Sequence, residues 1–473
     1  MTDVQIIRRA ISSASLESSS FGDEPDIGDL YVPLSHIKAL KLASNIVIGG
    51  RGVGKSFWTA VLKSRHLRAT MQEYVPELQN LEIFVGFSNV EDIDSYPNED
   101  TFQLLLSNNY VPYDIWRTVI IRWVAGKSNI SIPTNTWQET IDWFKSEPEK
   151  AARLMSTSRN WNGLIVFDAL DRTSNDWQRM DEIVRGLLRA VLWLKSYNGL
   201  SAKVFLREDQ AARTVFNFPD ASKILATKAE LTWSRHDLHG LLWQRLINST
   251  DLNANILREI CQNATSRTLA SVNNSFQLPD EMKRESEAQR KAFEKLAGPW
   301  MGKDKRRGVP YTWSVNHLSD GRGQTSPRSF LAAISQAAQD SSSRYPNHEY
   351  ALHYESLKRG IQQASEIRVT EVAEDYPWVP DVLSTLKGLN VPCDIETVDQ
   401  RWMSSFPSGP VQVNTNRLPA QHAERGWSGI REDLENLGLI ETKKDGRVDM
   451  PDLYRVGFGL GRKGGVKPKS KRD

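Results

Sequence analysis

The residues best equipped for chemistry lie at 49–57, where the chain reads GGRGVGKSF. Gly49, Gly50, Gly52 and Gly54 let backbone N–H groups turn inward around an anion, with Arg51 and Val53 between them. Lys55 supplies a cation for the β- and γ-phosphates of a nucleotide, and the Ser56 hydroxyl supplies an oxygen ligand for Mg²⁺. The apolar run NIVI precedes the loop, and Phe57 opens the helical pattern FWTAVLKSRHL. A strand must therefore deliver the loop, and a helix must point its N-terminus at the phosphates.

A second group of polar residues follows the run LIVFDAL at 164–170. A buried strand ending in Asp168 presents a carboxylate at its C-terminal edge, where sheets of this kind bind ligands. Asp168 is expected to hold Mg²⁺ through a water, and Asp171 to orient or polarise an attacking water. KVFLRED at 203–209 ends a further strand in Arg207, placed to sense a γ-phosphate. SPRSFL at 326–331 puts Arg328 at the start of a helix from which it can reach back to the nucleotide. The tetrad TKKD at 442–445 has the form of a guanine-reading motif, but it falls inside an expected hairpin, so ATP is preferred to GTP.

The elements that must position these groups are legible as apolar runs. Strands are predicted at 45–49, 81–87, 118–124, 164–170 and 203–206, alternating with helical patterns such as 181–196. That alternation implies an α/β fold with a parallel sheet, and the G-x-x-x-x-G-K-[ST] loop at 49–56 makes a P-loop NTPase core the expectation. After Leu231 the pattern turns helical, through 237–247 and 280–296, with no convincing strand before 345. Residues 417–458 read as a winged helix, with a helix at 429–440 and a hairpin around Asp445-Gly446. The expected organisation is a flexible arm over 1–30, an ATPase core over 31–232 and a helical lid over 233–345. A helical and winged-helix domain over 346–455 and a basic flexible tail over 456–473 complete it. The Ser-rich acidic stretch 11–28 has no apolar period and is expected to be mobile.

Bulk composition sets bounds on function. The chain has 473 residues, with 60 Lys and Arg against 58 Asp and Glu, so only local clusters speak to nucleic acid. Residues 455–473 carry seven Lys and Arg against one Asp, and KDKRR at 303–307 is a shorter cluster. Two cysteines, Cys261 and Cys393, make neither a disulfide framework nor a zinc site. No apolar run approaches the roughly 20 residues that span a bilayer, and 1–10 lacks the apolar region of a signal peptide. A cytoplasmic protein without membrane contact is expected.

Taken together, these motifs resemble the STAND branch of the AAA+ ATPases. Asp168-Ala169-Leu170-Asp171 has the form found in its NACHT relatives, and LDR at 170–172 is similar to that of KAP-type NTPases. The resemblance implies a sensor role for Arg207 and a lid followed by a winged helix. It also implies a nucleotide-controlled switch acting on a protein partner or effector, often in defence against phages. The GxP lid motif of many such proteins is missing, and SPR at 326–328 looks like the second sensor of other AAA+ proteins. A homo-oligomer is compatible with this reading. The alternative is a DNA-associated AAA+ ATPase, a loader or regulator, binding DNA through the winged helix and basic tail. A scaffold that binds ATP without turnover is a third.

Overall fold

A computed structural model describes every residue except 1–2, 15, 17–22, 212–213, 252–253, 414–416 and 470–473. The chain divides into two compact units. A core unit comprises Ser19–Pro25 and Leu34–Thr232, and a helical unit comprises Met1–Ser18, Asp26–Pro33 and Trp233–Asp473.

The core unit is a parallel sheet of β1 (Ile46–Ile48), β2 (Leu81–Phe87), β3 (Asn162–Phe167), β4 (Leu200–Leu206) and β5 (Ala229–Glu230). Its order is β2-β3-β4-β1-β5, with every pairing parallel. β1 and β3 thus flank β4, and the carboxyl ends of all three reach one edge of the sheet. Ile48 is in register with Leu206, and Phe167 with Val204. The strands read as continuous apolar runs because helices cover both faces of such sheets. Ile46, Val47, Leu164, Ile165, Val166 and Phe167 are completely buried.

One expected strand is a helix. TVIIRWV at 118–124 lies within Pro112–Lys127, which starts with a proline where the missing N–H costs nothing. Its β-branched residues suggested a strand, but the segment is buried nearly all round, so no amphipathic period marked it. Trp116 anchors it, with its ring 5.0–5.7 Å from those of Phe87, Phe102 and Phe167. The fifth strand is instead β5, two residues long and bound to β1 through the Leu231 N–H to the Ile48 carbonyl at 2.8 Å.

Lys203, on β4, is wholly buried. Its ammonium donates to the carbonyls of Ala39 (2.6 Å), Lys41 (3.0 Å) and Ser44 (2.7 Å). It thereby caps α2 (Leu34–Leu40) and the loop entering β1, taking up carbonyls that a helix end leaves without partners.

The helical unit is built mainly from Arg235–Ile247, Asn255–Thr265, Glu287–Ala297, Pro327–Arg344 and Tyr354–Asp375. A two-residue hairpin, β6 (Ser271–Val272) and β7 (Ser275–Phe276), interrupts a stretch expected to hold no strand. Helices Pro327–Arg344 and Tyr354–Asp375 pack so closely that a Cβ on Gly360 would lie 2.2 Å from the Ala333 carbonyl oxygen.

Both ends of the chain differ from the flexible segments expected of them. Asp3–Ser13 forms α1, with Ile7, Ala10 and Ile11 buried. Arg8, also buried, donates to the carbonyls of Tyr345, Pro346, Tyr350 and Ala351 at 2.8–3.1 Å. The Ser-rich stretch 11–28 lies in part, at 15 and 17–22, outside the described residues.

The basic tail also folds back as far as it is described. Arg455 donates to Asp452 and to the Leu460 carbonyl (2.8 Å each), Arg462 pairs with Asp449 and Asp452, and Lys469 pairs with Glu366 at 2.7 Å. Two of its glycines serve close approach. A Cβ on Gly457 would come within 2.6 Å of Val369, and one on Gly461 within 2.0 Å of Asn390. Residues 470–473 of the tail lie outside the described residues. Ahead of it run helices Trp378–Ser384, Ile395–Ser405 and Trp427–Asn436, then the hairpin β8 (Glu441–Thr442) and β9 (Val448–Asp449). Cys393 and Val448 exchange two backbone hydrogen bonds, at 3.0 and 2.8 Å.

Candidate functional site

The loop after β1 turns through Gly52 at φ 77° and Gly54 at φ 105°, conformations open to glycine and costly to other residues. Gly49 is required by space. A Cβ there would lie 2.6 Å from Val53. Its N–H donates to the Leu206 carbonyl at 3.1 Å, extending the ladder one residue past the strand. Gly54 then caps α3 (Lys55–Lys63), so the first N–H groups of that helix open into the loop.

Lys55 folds back over this loop, donating to the carbonyls of Gly49 at 2.9 Å and Gly50 at 2.7 Å. Burial pulls its ammonium down to about 8, against the opposing attraction of Asp168. The adjacent Ser56 hydroxyl donates to the carboxylate of Asp168.

Asp168 sits one residue beyond β3, with its N–H donating to the Phe87 carbonyl at 2.9 Å. It is buried, and desolvation raises its pKa, opposed by the Ser56 hydrogen bond and Lys55. The next residue, Ala169, is left-handed at φ 55°, a conformation costing an alanine about 1 kcal/mol or more. The sharp turn directs the Ala169 N–H onto the Asp168 carboxylate and leads into the short 3₁₀ turn Leu170–Arg172. Asp171 lies in that turn.

Arg207 follows β4 directly, between the ends of β1 and β3. Its guanidinium contacts Asp171 at 3.5 Å and Asp209 at 3.1 Å, and the arginine side chain is 12% exposed. Its backbone N–H donates to Gln210 at 3.0 Å, which fixes the exit from the strand. Asp209 is the residue the sequence reading missed. Only its place two residues after Arg207 hinted at a partner.

Lys55, Ser56, Asp168, Asp171 and Arg207 are thus joined in one network at the sheet edge. Arg328 belongs to the other unit. There it starts helix Pro327–Arg344 behind the Ser326 cap and pairs with Glu371 at 2.6 Å.

The Ser56 hydroxyl and Asp168 carboxylate are hard oxygen donors fitting Mg²⁺, which is typically held by one or two protein oxygens together with phosphates and waters. Among the described residues no cluster of three or more His, Cys, Asp and Glu could hold a metal by itself. Nor is any helix among them long and apolar enough to cross a membrane.

The state of Lys55 gives a measurable signature. A bound polyphosphate favours its charged form, raising a pKa that burial has brought to about 8. Near pH 9 the ligand-free amine is therefore mostly neutral and the bound amine mostly charged. Nucleotide binding should then take up close to one proton at about pH 9, and almost none from Lys55 near pH 6.5. Calorimetric titrations at pH 9 in two buffers of different ionisation enthalpy read this directly. Identical enthalpies in both buffers would refute it.

No family model matches the chain, and no curated protein matches it. Among solved structures, the ORC2 protein of Aeropyrum pernix, determined as ADPNP-ADP complexes, aligns over 88% of this chain and 85% of its own. Sequence identity is 12% and the TM-score 0.30, a likeness that carries no argument.

Proposed function

We propose that the chain is an ATP-binding and ATP-hydrolysing switch of the AAA+ class, resembling the STAND branch. The observation that carries this reading is the convergence of Lys55, Ser56, Asp168, Asp171 and Arg207 at the ends of three adjacent strands. The backbone of 49–54 and the N–H groups of Lys55 and Ser56 receive the phosphates, and Lys55 leaves its own loop carbonyls to meet them. Ser56 and Asp168 would hold Mg²⁺, which would supply positive charge to the phosphate oxygens. Asp171 orients the water whose oxygen bonds to the γ-phosphorus as the bond to the β,γ-bridging oxygen breaks. Arg207 senses the γ-phosphate, trading part of its contact with Asp171 and Asp209 for it.

Arg328 is the lever of the switch. Its pair with Glu371 leaves the arginine side chain 41% exposed, and exposed pairs are weak, on the order of 1 kcal/mol or less. A γ-phosphate oxygen can therefore compete for the guanidinium. Such a contact, available with ATP and lost with ADP, is what shifts a two-state equilibrium.

The succession of helix, bridging residue, two helices and hairpin over 378–449 supports a winged-helix-like domain. Its last helix, Trp427–Asn436, carries Glu432, Asp433 and Glu435 against Arg431. With Arg455, Arg462 and Lys469 of the tail already engaged, this favours a protein partner or effector over DNA. The setting in defence rests on the family resemblance alone.

Arg328→Ala tests the switch. It removes a charge-assisted contact of about 1.5–3 kcal/mol, or ten- to a hundredfold in the closed population. Limited proteolysis across 263–310 should differ between ATP and ADP in the wild type and not in the variant. Equal ATP-dependent protection in both proteins would make Arg328 a surface residue.

A further inference from the structure

A buried line of hydrogen bonds runs from the helix behind the phosphate loop to the last residue of the core unit. Trp58, the fourth residue of α3, donates from its indole Nε1 to His36 Nδ1 at 3.1 Å. Because Nδ1 accepts, the imidazole proton is on Nε2, which donates to the Thr232 carbonyl at 3.1 Å. Burial holds the His36 pKa down at about 4, so the ring stays neutral and both its nitrogens are committed. His36 and Trp58 are 0% and 1% exposed, with rings 5.8 Å apart at 75°.

Thr232 is the point at which the chain leaves the core unit, and Ser35 and His36 lie just after an earlier crossing at 33–34. The Ser35 hydroxyl also donates to the Thr232 carbonyl, at 3.0 Å. One carbonyl therefore ties the two crossings together on the core side. On the helical side, Tyr31 stacks on Trp233 at 6.3 Å and 27°, and its hydroxyl donates to Asp237 at 3.2 Å. Gly240 makes room for that ring, since a Cβ there would lie 2.6 Å from the Tyr31 hydroxyl.

We propose that His36 is a positioning residue that couples the phosphate-loop helix to the paired chain crossings at 33–34 and 232–233, and so passes nucleotide state to the helical unit. This rests on the reading that the loop binds ATP. Hydrogen bonds weaken steeply with distance and misalignment, so a shift of α3 that carries Trp58 must drag the imidazole along or break the line. A buried polar group left without a partner is costly, which favours movement as a unit. An apolar residue at position 36 would fill the space without transmitting anything.

The test is hydrogen exchange in segments 29–37 and 229–240, with ATP, ADP and no nucleotide. In the wild type ATP should slow exchange there relative to ADP. His36→Leu and Trp58→Phe should bind ATP within about threefold of wild type, yet reduce the ATP–ADP difference at least about fivefold, the worth of roughly one hydrogen bond. His36→Gln, whose amide offers one acceptor and one donor, should restore it. Trp58→Phe keeps a ring in place and carries the test if the leucine variant fails to fold. The proposal is overturned if the wild type shows no ATP–ADP difference, or if Trp58→Phe retains it in full. It is also overturned if His36→Gln matches His36→Leu in both Tm and exchange, the behaviour of a mere packing residue. Wild-type protein that binds no ATP overturns the reading of the loop itself, and the coupling with it.

Discussion

Lys55→Ala should weaken ATP binding by at least about a hundredfold while leaving the fold intact, because two or more charge-assisted hydrogen bonds to phosphate are lost. The fold is spared for a definite reason. In the ligand-free protein Lys55 bonds only to carbonyls of its own loop and carries the cost of a buried ammonium, which burial has already drawn down to about 8. Alanine removes those bonds and that cost together, and alanine is favoured in a helix. Isothermal titration with ATP and Mg²⁺, alongside a thermal melt, separates the two effects. An affinity unchanged within twofold would sink the assignment of the phosphate loop. A collapse in Tm would instead show that the lysine holds the loop together.

The second large effect concerns turnover. Asp171→Asn preserves size and removes the carboxylate, so hydrolysis should fall by roughly a hundredfold or more with ATP affinity little changed. The geometry adds a complication. Asp171 shares Arg207 with Asp209, so the substitution also takes a counter-charge from that arginine. Asp209→Asn is the control for that indirect route, since it perturbs Arg207 while sparing Asp171. Single-turnover rates should be depressed far more by the Asp171 change. Comparable losses in the two variants would assign the role to Arg207 and make Asp171 its anchor. Undiminished turnover in Asp171→Asn would mean that another group orients the water.

That Lys55 and Asp171 lie near one another was legible in the sequence because both positions are set by local spacing after a strand. A loop that wraps phosphate needs glycines beside a lysine, and a strand that delivers a carboxylate needs an unbroken apolar run before it. Four of the five strands of the parallel sheet were readable for the same reason, since each is dominated by apolar residues, most of them buried in β1, β3 and β4. The same burial hid the helix Pro112–Lys127, whose apolar residues face in every direction and erase the helical period. β5 is too short to leave any period at all.

Other features were illegible because their partners are backbone atoms far away in sequence. Nothing about Lys203 or Arg8 as residue types announces that each will bind a set of carbonyls in the interior. The glycines at 457 and 461 suggested a loose tail, yet they permit close contact with Val369 and Asn390. His36 resembled any other histidine until Trp58 and Thr232 were seen on either side of it.

Arg8 also bears on the order in which the protein is assembled during synthesis. α1 emerges more than 300 residues ahead of the carbonyls that bind Arg8, which belong to residues 345–351. At ordinary rates of translation, roughly 5–20 residues per second, α1 waits tens of seconds for them. During that interval the sheet can be completed, since its last strand is β5 at Ala229–Glu230. α1 is thus made before the sheet and seated after it, and Ile7 and Ile11 are buried only then. Loss of Arg8 would therefore spare the sheet and the loop at 49–54 and loosen the turn at 345–351 that its guanidinium holds.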